Sequence, residues 1–169
     1  MKLALGLVVC ALAVGVAWAQ APSDPQIAGI VVTANQIDID AGKLAKSRSK
    51  NKEIQAFADQ MITDHTAVNK QAVALANKLK VKPADSDTSK SLKEGASKNT
   101  ANLKKLSGAA FDKAYIDHEV VYHEAVLEAI DKTLIPSAQN AELKALIEKV
   151  RPAIAAHLDH AKMIQSKLK

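Results

Sequence analysis

The sequence predicts an all-α fold, and two observations carry that expectation. The chain of 169 residues is 48% hydrophobic and 24% charged but only 3% aromatic, with Ala and Lys prominent. Such a composition suits helices better than pleated sheet. Apolar residues also recur at spacings of three and four through four long segments, while no useful length alternates with period two. The length matches one domain at roughly 100–200 residues per domain. Six Gly and five Pro argue against collagen-like or low-complexity order. The single Cys argues against a disulfide scaffold or a cysteine zinc finger. An all-β sandwich and a dinucleotide-binding α/β fold are disfavoured on the same grounds.

Residues 1–19 read as a cleavable secretory signal. Lys2 precedes an apolar run from Leu3 to Val16, followed by the A-x-A site Ala17-Trp18-Ala19. That run is shorter than the ~20 residues that span a bilayer comfortably. The expected mature domain is 20–169, exported to the periplasm, with no stable membrane insertion after cleavage; a retained anchor is the alternative. The formal charge, +5 with the leader, falls by one when Lys2 leaves. The basic residues are spread out and form no stripe interleaved with aromatics, which argues against nucleic acid as a partner.

The first helix starts at Asp24-Pro25, with Asp as N-cap and Pro in the first turn. Ile27, Val31, Ala34, Asp38, Ala41 and Ala45 form its stripe, and the polar run Ser47–Asn51 closes it. The second carries Ile54, Phe57, Met61, His65, Val68, Ala72, Leu75 and Leu79, and ends before Pro83 and the Asp85–Ser89 cluster. A weaker amphipathic stretch follows, with Leu92, Ala96, Leu103 and Leu106 as its apolar positions, up to Ser107-Gly108. The third helix carries Ile116, Val120, His123, Leu127, Ile130 and Leu134, and Pro136-Ser137 makes its turn. The fourth carries Leu143, Ile147, Val150, Ile154, His157, Ala161, Ile164 and Leu168, with Pro152 inside it, where a kink is expected.

Four such stripes are buried only against one another. Connections one and three are short, so helices 1/2 and 3/4 should be antiparallel neighbours. The middle connection can climb the bundle, since about 20 helical residues cover ~30 Å. The expected architecture is therefore a ferritin-like four-helix bundle with a long, partly helical crossover between helices 2 and 3.

Polar residues interrupt these stripes. Asp38, His65, His123 and His157 each occupy a strict stripe position, one per helix, and Asp64 continues the Phe57, Met61, Asp64, Val68 spacing. Glu119 and His160 lie on the stripe margins, and His118 and Asp40 further round. Tyr115, one turn before Glu119, is expected to be a packed aromatic with its hydroxyl hydrogen-bonded. Measured from the helix 1/2 turn with ideal rise, Asp38 falls at about 15 Å, His65 at about 21 Å, His123 at about 20 Å and His157 at about 10 Å. Side chains lean toward their helix N-terminus, which brings the four tips together. Carboxylates and imidazoles projecting inward from four helices are the ingredients of a metal centre. The metal ligands expected are Asp38, Asp64, His65, Glu119, His123 and His157, and the donor set suits Zn, Fe or Mn. Coordination needs neutral imidazole, so affinity is expected to weaken as pH drops through the histidine range near 6.5.

The alternative is a non-catalytic structural or interaction protein with a metal-free polar core layer of His–Asp hydrogen bonds that fixes helix register. A metal-dependent oxidase or peroxidase is a third class, requiring substrate access and an open coordination position. The E-x-x-H pairs of di-iron bundle oxidases, H-E-x-x-H, G-x-S-x-G, a phosphate-binding glycine loop and C-x-x-C-H are all absent from the sequence.

Several strings carry a family resemblance. They are Asn35-Gln36-Ile37-Asp38 leading to Gly42-Lys43-Leu44-Ala45, Phe57-Ala58 with Met61-Ile62-Thr63-Asp64-His65, and Leu106-Ser107-Gly108-Ala109-Ala110-Phe111-Asp112-Lys113-Ala114-Tyr115. His123, Arg151-Pro152 and His157-Leu158 complete them. Over about residues 26–168 the chain resembles the bacterial exported ferritin-like proteins classed as a domain of unknown function and often labelled predicted outer membrane proteins. The resemblance implies a ferritin-like bundle in the bacterial envelope and implies no activity. It also implies Glu as the usual acid of helix 1, where this chain has the shorter Asp38. The outer-membrane label has no counterpart in the residues, which show no barrel strand signal.

Overall fold

The computed structural model describes residues 21–168. The expected leader and its cleavage site after Ala19 lie outside these residues. Six helices follow in order: α1 (Asp24–Arg48), α2 (Lys52–Lys78), α3 (Asp87–Leu103), α4 (Gly108–Ala129), the three-residue α5 (Ile135–Ser137) and α6 (Ala141–Lys167). Between α4 and α5 the chain makes a π-helical turn, Ile130–Leu134. No strand occurs among the described residues.

Local chemistry sets the helix starts. The N-cap of α1 is Ser23 rather than the expected Asp24, and the Gln26 side chain accepts from the Ser23 backbone N–H. The Asp24 carboxylate instead accepts from the backbone N–H groups of Gln139 and Asn140, both at 2.9 Å. Those bonds tie the first turn of α1 to the start of α6. Asn51 caps α2 by accepting from Glu53 N–H, and Asn140 caps α6 by accepting from Glu142 and Leu143. Each such cap contributes about 1 kcal/mol.

Two apolar clusters fix the helix directions. At the α1/α2 turn, Ala45, Ile54, Phe57, Leu103, Phe111, Tyr115 and Ile164 pack together. At the opposite end, Ile27, Ile30, Ile130, Leu134, Leu143 and Ile147 do so. The first cluster joins the end of α1, the starts of α2 and α4 and the end of α6, so α1 and α6 run one way and α2 and α4 the other. Ion pairs at both ends of the α2–α6 seam, Glu53 with Lys167 and Lys78 with Glu142, mark the same antiparallel pairing. Helix α3 climbs from one cluster to the other, as the long middle connection predicts. It is thinly packed, with only Ser89 and Leu103 buried. Helix α6 continues through Pro152.

The crossover's first contact rests on Gly29 of α1. Ala84 N–H donates to the Pro25 carbonyl at 2.8 Å. A Cβ on Gly29 would meet the Ala84 carbonyl oxygen at 2.1 Å and its carbon at 3.0 Å. Both are backbone atoms, so no side-chain rotation relieves the clash. Although Ala favours helix over Gly by up to about 1 kcal/mol, overpacking costs typically 1–3 kcal/mol or more. Gly29→Ala is therefore expected to lower the urea midpoint; a midpoint equal to or above the parent's would refute this role.

Candidate metal centre

Between the two apolar clusters lies a polar layer. Asn35 and Asp38 of α1, His65 of α2, Glu119 and His123 of α4 and His157 of α6 are all buried. The stripes make this happen: each of these residues occupies a position where its helix turns inward, so burying the neighbouring Ile, Phe and Met side chains buries them too.

The three imidazoles form a triangle with ring centroids 5.2–5.8 Å apart. One ring nitrogen from each of His65, His123 and His157 lies within 4.8 Å of the others. Their outer nitrogens are all engaged. Asn35 donates its amide N–H to the Val31 carbonyl at 2.7 Å, which leaves its Oδ1 to accept from His65 Nδ1 at 2.7 Å. His123 Nδ1 donates to the Glu119 carbonyl at 2.9 Å. His157 Nε2 donates to the Asp64 carboxylate, also at 2.9 Å. These bonds fix all three tautomers. The remaining nitrogens, His65 Nε2, His123 Nε2 and His157 Nδ1, are buried and have no hydrogen-bond partner.

Burial also keeps the rings neutral. It lowers His65 to about 3, helped by His123 and His157, and His123 to about 4, against the Glu119 carbonyl bond that raises it. His157 is lowered by burial too, with Asp64 opposing. Asp38 Oδ2 lies 3.5 Å from His65 Nε2, and Glu119 Oε2 3.5 Å from His123 Nδ1. With the rings neutral, neither contact is an ion pair.

Asp38, Glu119 and His123 form a second convergent group within the same 4.8 Å limit, so His123 belongs to both. The two carboxyls lie close together, and burial pushes both well above the usual carboxylate range. Two buried carboxyls at contact retain a proton because neither the second charge nor its desolvation is tolerated. Beside them, the Tyr115 hydroxyl is buried without a partner, and burial with the charges of Glu119 and Asp38 raises its pKa. The ring packs as expected in the cluster at the α1/α2 turn, but its hydroxyl lacks the expected hydrogen bond.

Of the six expected ligands, Asp38, His65, Glu119, His123 and His157 converge. Asp64 belongs to neither convergent group: its side chain is 42% exposed and it holds His157 from outside. His160 bonds Gln60 at 3.0 Å and packs edge-on against Phe57 instead. The expected competition between metal and imidazole protonation near pH 6.5 is displaced, since folded His65 and His123 are neutral well below that pH. The retained carboxyl proton is the competitor in the folded site. Asn35 is a positioning residue that interrupts no apolar stripe in the sequence. Its signal is its place three residues before Asp38, on the same helix face.

Buried nitrogen atoms without a hydrogen-bond partner cost about 1–3 kcal/mol each. Three convergent imidazole lone pairs with a carboxyl pair alongside form a donor set that a divalent cation would satisfy. Among the described residues, no helix is long and apolar enough to cross a membrane. A family described as "Domain of unknown function (DUF4142)" matches residues 12–164. No curated protein and no solved structure matches the chain.

Proposed function

The chain belongs to the DUF4142 family of domains of unknown function, and from that premise we propose that it is a periplasmic, ferritin-like helical bundle that binds a transition metal. One observation carries the reading: the three buried, partnerless nitrogens of His65, His123 and His157 come from three helices, each ring oriented by a hydrogen bond on its far side. A polar layer built only to fix register would pair its inner nitrogens with one another or with the carboxyls. His65, His123 and His157 would hold the ion, with Asp38 and Glu119 supplying oxygen ligands. Nitrogen and carboxylate donors without thiolate suit Zn, Fe or Mn. Storage, buffering or a part in envelope stress fits a centre built from buried side chains. The antiparallel pairs joined by a climbing crossover support the ferritin-like reading.

Calorimetric titration of metal-stripped protein with Zn(II), Fe(II) and Mn(II) tests the proposal. One ion per chain is expected, bound at least ~100-fold more weakly by the His123→Ala/His157→Ala double variant, beyond the 10–100-fold typical of losing an orienting partner alone. Equal affinities, or no binding by the parent, would leave the metal-free polar layer as the better reading. Export rests on the leader pattern, and N-terminal sequencing of the periplasmic protein is expected to begin at Gln20. An intact Met1 recovered only from membranes would overturn it.

A further inference from the structure

A cavity of about 110 Å³ abuts the polar layer, with Asp38 and His65 in its wall. Most of the remaining lining is aliphatic, contributed chiefly by Ile30, Val126, Ile130, Leu134, Ile147 and Ile154. Two of these, Ile130 and Leu134, come from the π-helical turn, a rare geometry that is frequent at functional sites. Thr88, Leu92 and Tyr122 also line an open groove between α3 and α4, alongside Asp87, Ser91 and His118. The same three side chains therefore stand between the inner cavity and the groove. Leu92 is only half-buried and belongs to the thinly packed crossover. Tyr122 is held by its hydroxyl, which donates to the Ala34 carbonyl at 3.2 Å.

A chamber with so few polar partners does not retain water well, and a polar guest would lose its hydration without replacement. Its volume is below the ~150 Å³ of an engineered apolar cavity that admits benzene or xenon. A void of this size left empty also forfeits packing that larger side chains at Val126 or Ala129 would supply.

We propose that this cavity is a binding chamber for a small apolar molecule of a few heavy atoms, entered from the α3–α4 groove past Leu92 and Tyr122 and ending at the metal centre. The inference rests on the metal reading for its destination, but the chamber itself does not. A guest inside it lies against the side chains of His65 and Asp38 while surrounded by aliphatic groups. The enclosing wall admits by size and polarity.

Xenon is the probe. In protein with isotope-labelled isoleucine methyls, xenon is expected to shift Ile130, Ile147 and Ile154 in both the metal-free and the Zn(II)-loaded forms. Val126→Phe and, independently, Ala129→Leu should abolish those shifts while leaving Zn(II) affinity and helical ellipticity at parental levels. Leu92→Ala should speed xenon exchange. With Co(II) in place of zinc, ¹²⁹Xe relaxation should be enhanced in the parent and not in Val126→Phe. No isoleucine shift in the parent, or shifts that survive both filling variants, would overturn the chamber even if zinc binds normally. Shifts without Co(II) enhancement in protein shown to bind Co(II) would overturn the route to the metal. Failure of metal binding with xenon shifts intact would instead count against the metal reading and sever the chamber from its destination.

Discussion

Without metal, the Asp38→Asn/Glu119→Gln double variant is expected to lose about 6 kcal/mol of stability between pH 7 and pH 4, while the parent loses about half as much. Burial holds His65 at about 3 and His123 at about 4, below the ordinary 6.5. As pH falls through 6.5 the unfolded chain takes up a proton at each imidazole and the folded chain does not. Their contribution is therefore complete above 6.5 and is lost progressively below it. Over two and a half pH units, at about 1.4 kcal/mol per unit, His65 accounts for roughly 3.4 kcal/mol, and His123, itself half-protonated at pH 4, for roughly 3 kcal/mol.

Asp38 and Glu119 act with the opposite sign in the parent. Burial raises both, and Asp38 raises Glu119 further, so the fold keeps a proton that the unfolded chain releases. Their contribution is complete below the unfolded carboxyl range near pH 4 and is lost as pH rises. Between about pH 4 and 6.5 the retained carboxyl proton offsets about half of the imidazole effect. Above 6.5 the imidazoles are neutral in both states, and each retained carboxyl proton lowers stability by about 1.4 kcal/mol per pH unit. The parent should thus weaken toward pH 8, and the double variant should not. Urea unfolding across pH 4 to 8.5 reads both limbs. A parent that stays level above 6.5 would show that the carboxyl pair holds no proton. A double variant that stays level toward pH 4 would show that the imidazoles are not kept neutral.

Zinc at a thousandfold excess over its dissociation constant is expected to add about 4 kcal/mol, or roughly 8–16 °C in midpoint for a domain of this size. His123→Ala should show no zinc-dependent shift, because His123 is the one residue common to both convergent groups. Comparing each variant with and without zinc cancels whatever the substitution costs the metal-free fold. Asp64→Ala should keep a reduced shift, since Asp64 orients His157 from outside and such partners typically account for 10–100-fold in affinity. Affinity should increase with pH across the neutral range as the ion displaces the carboxyl proton. An equal zinc shift in the parent and in His123→Ala would refute the site.

Much of this architecture was legible in the residues. The three-and-four spacing of Ile, Leu, Val and Phe placed the four long helices, because a helix without an apolar face has nothing to bury. The same spacing identified Asp38, His65, His123 and His157 as inward polar residues, because each stands where its stripe demands a hydrophobe. The length between Pro83 and Gly108 foretold the crossover, which a chain of that reach makes along the bundle. Finer distinctions were beyond periodicity. A stripe is at least about 100° wide and successive residues differ by about 100°, so Asp64 and His65 read alike until packing set the rotation of α2. Packing turned His65 inward and left Asp64 at the rim, where it orients His157 from another helix. The raised pKa values of Asp38 and Glu119 arise only where α1 and α4 meet and residues far apart in sequence are buried together. The orphaned nitrogens and the apolar chamber have the same origin: sequence sets which face of each helix is buried, and only the assembled bundle sets which atoms there find partners and where space remains.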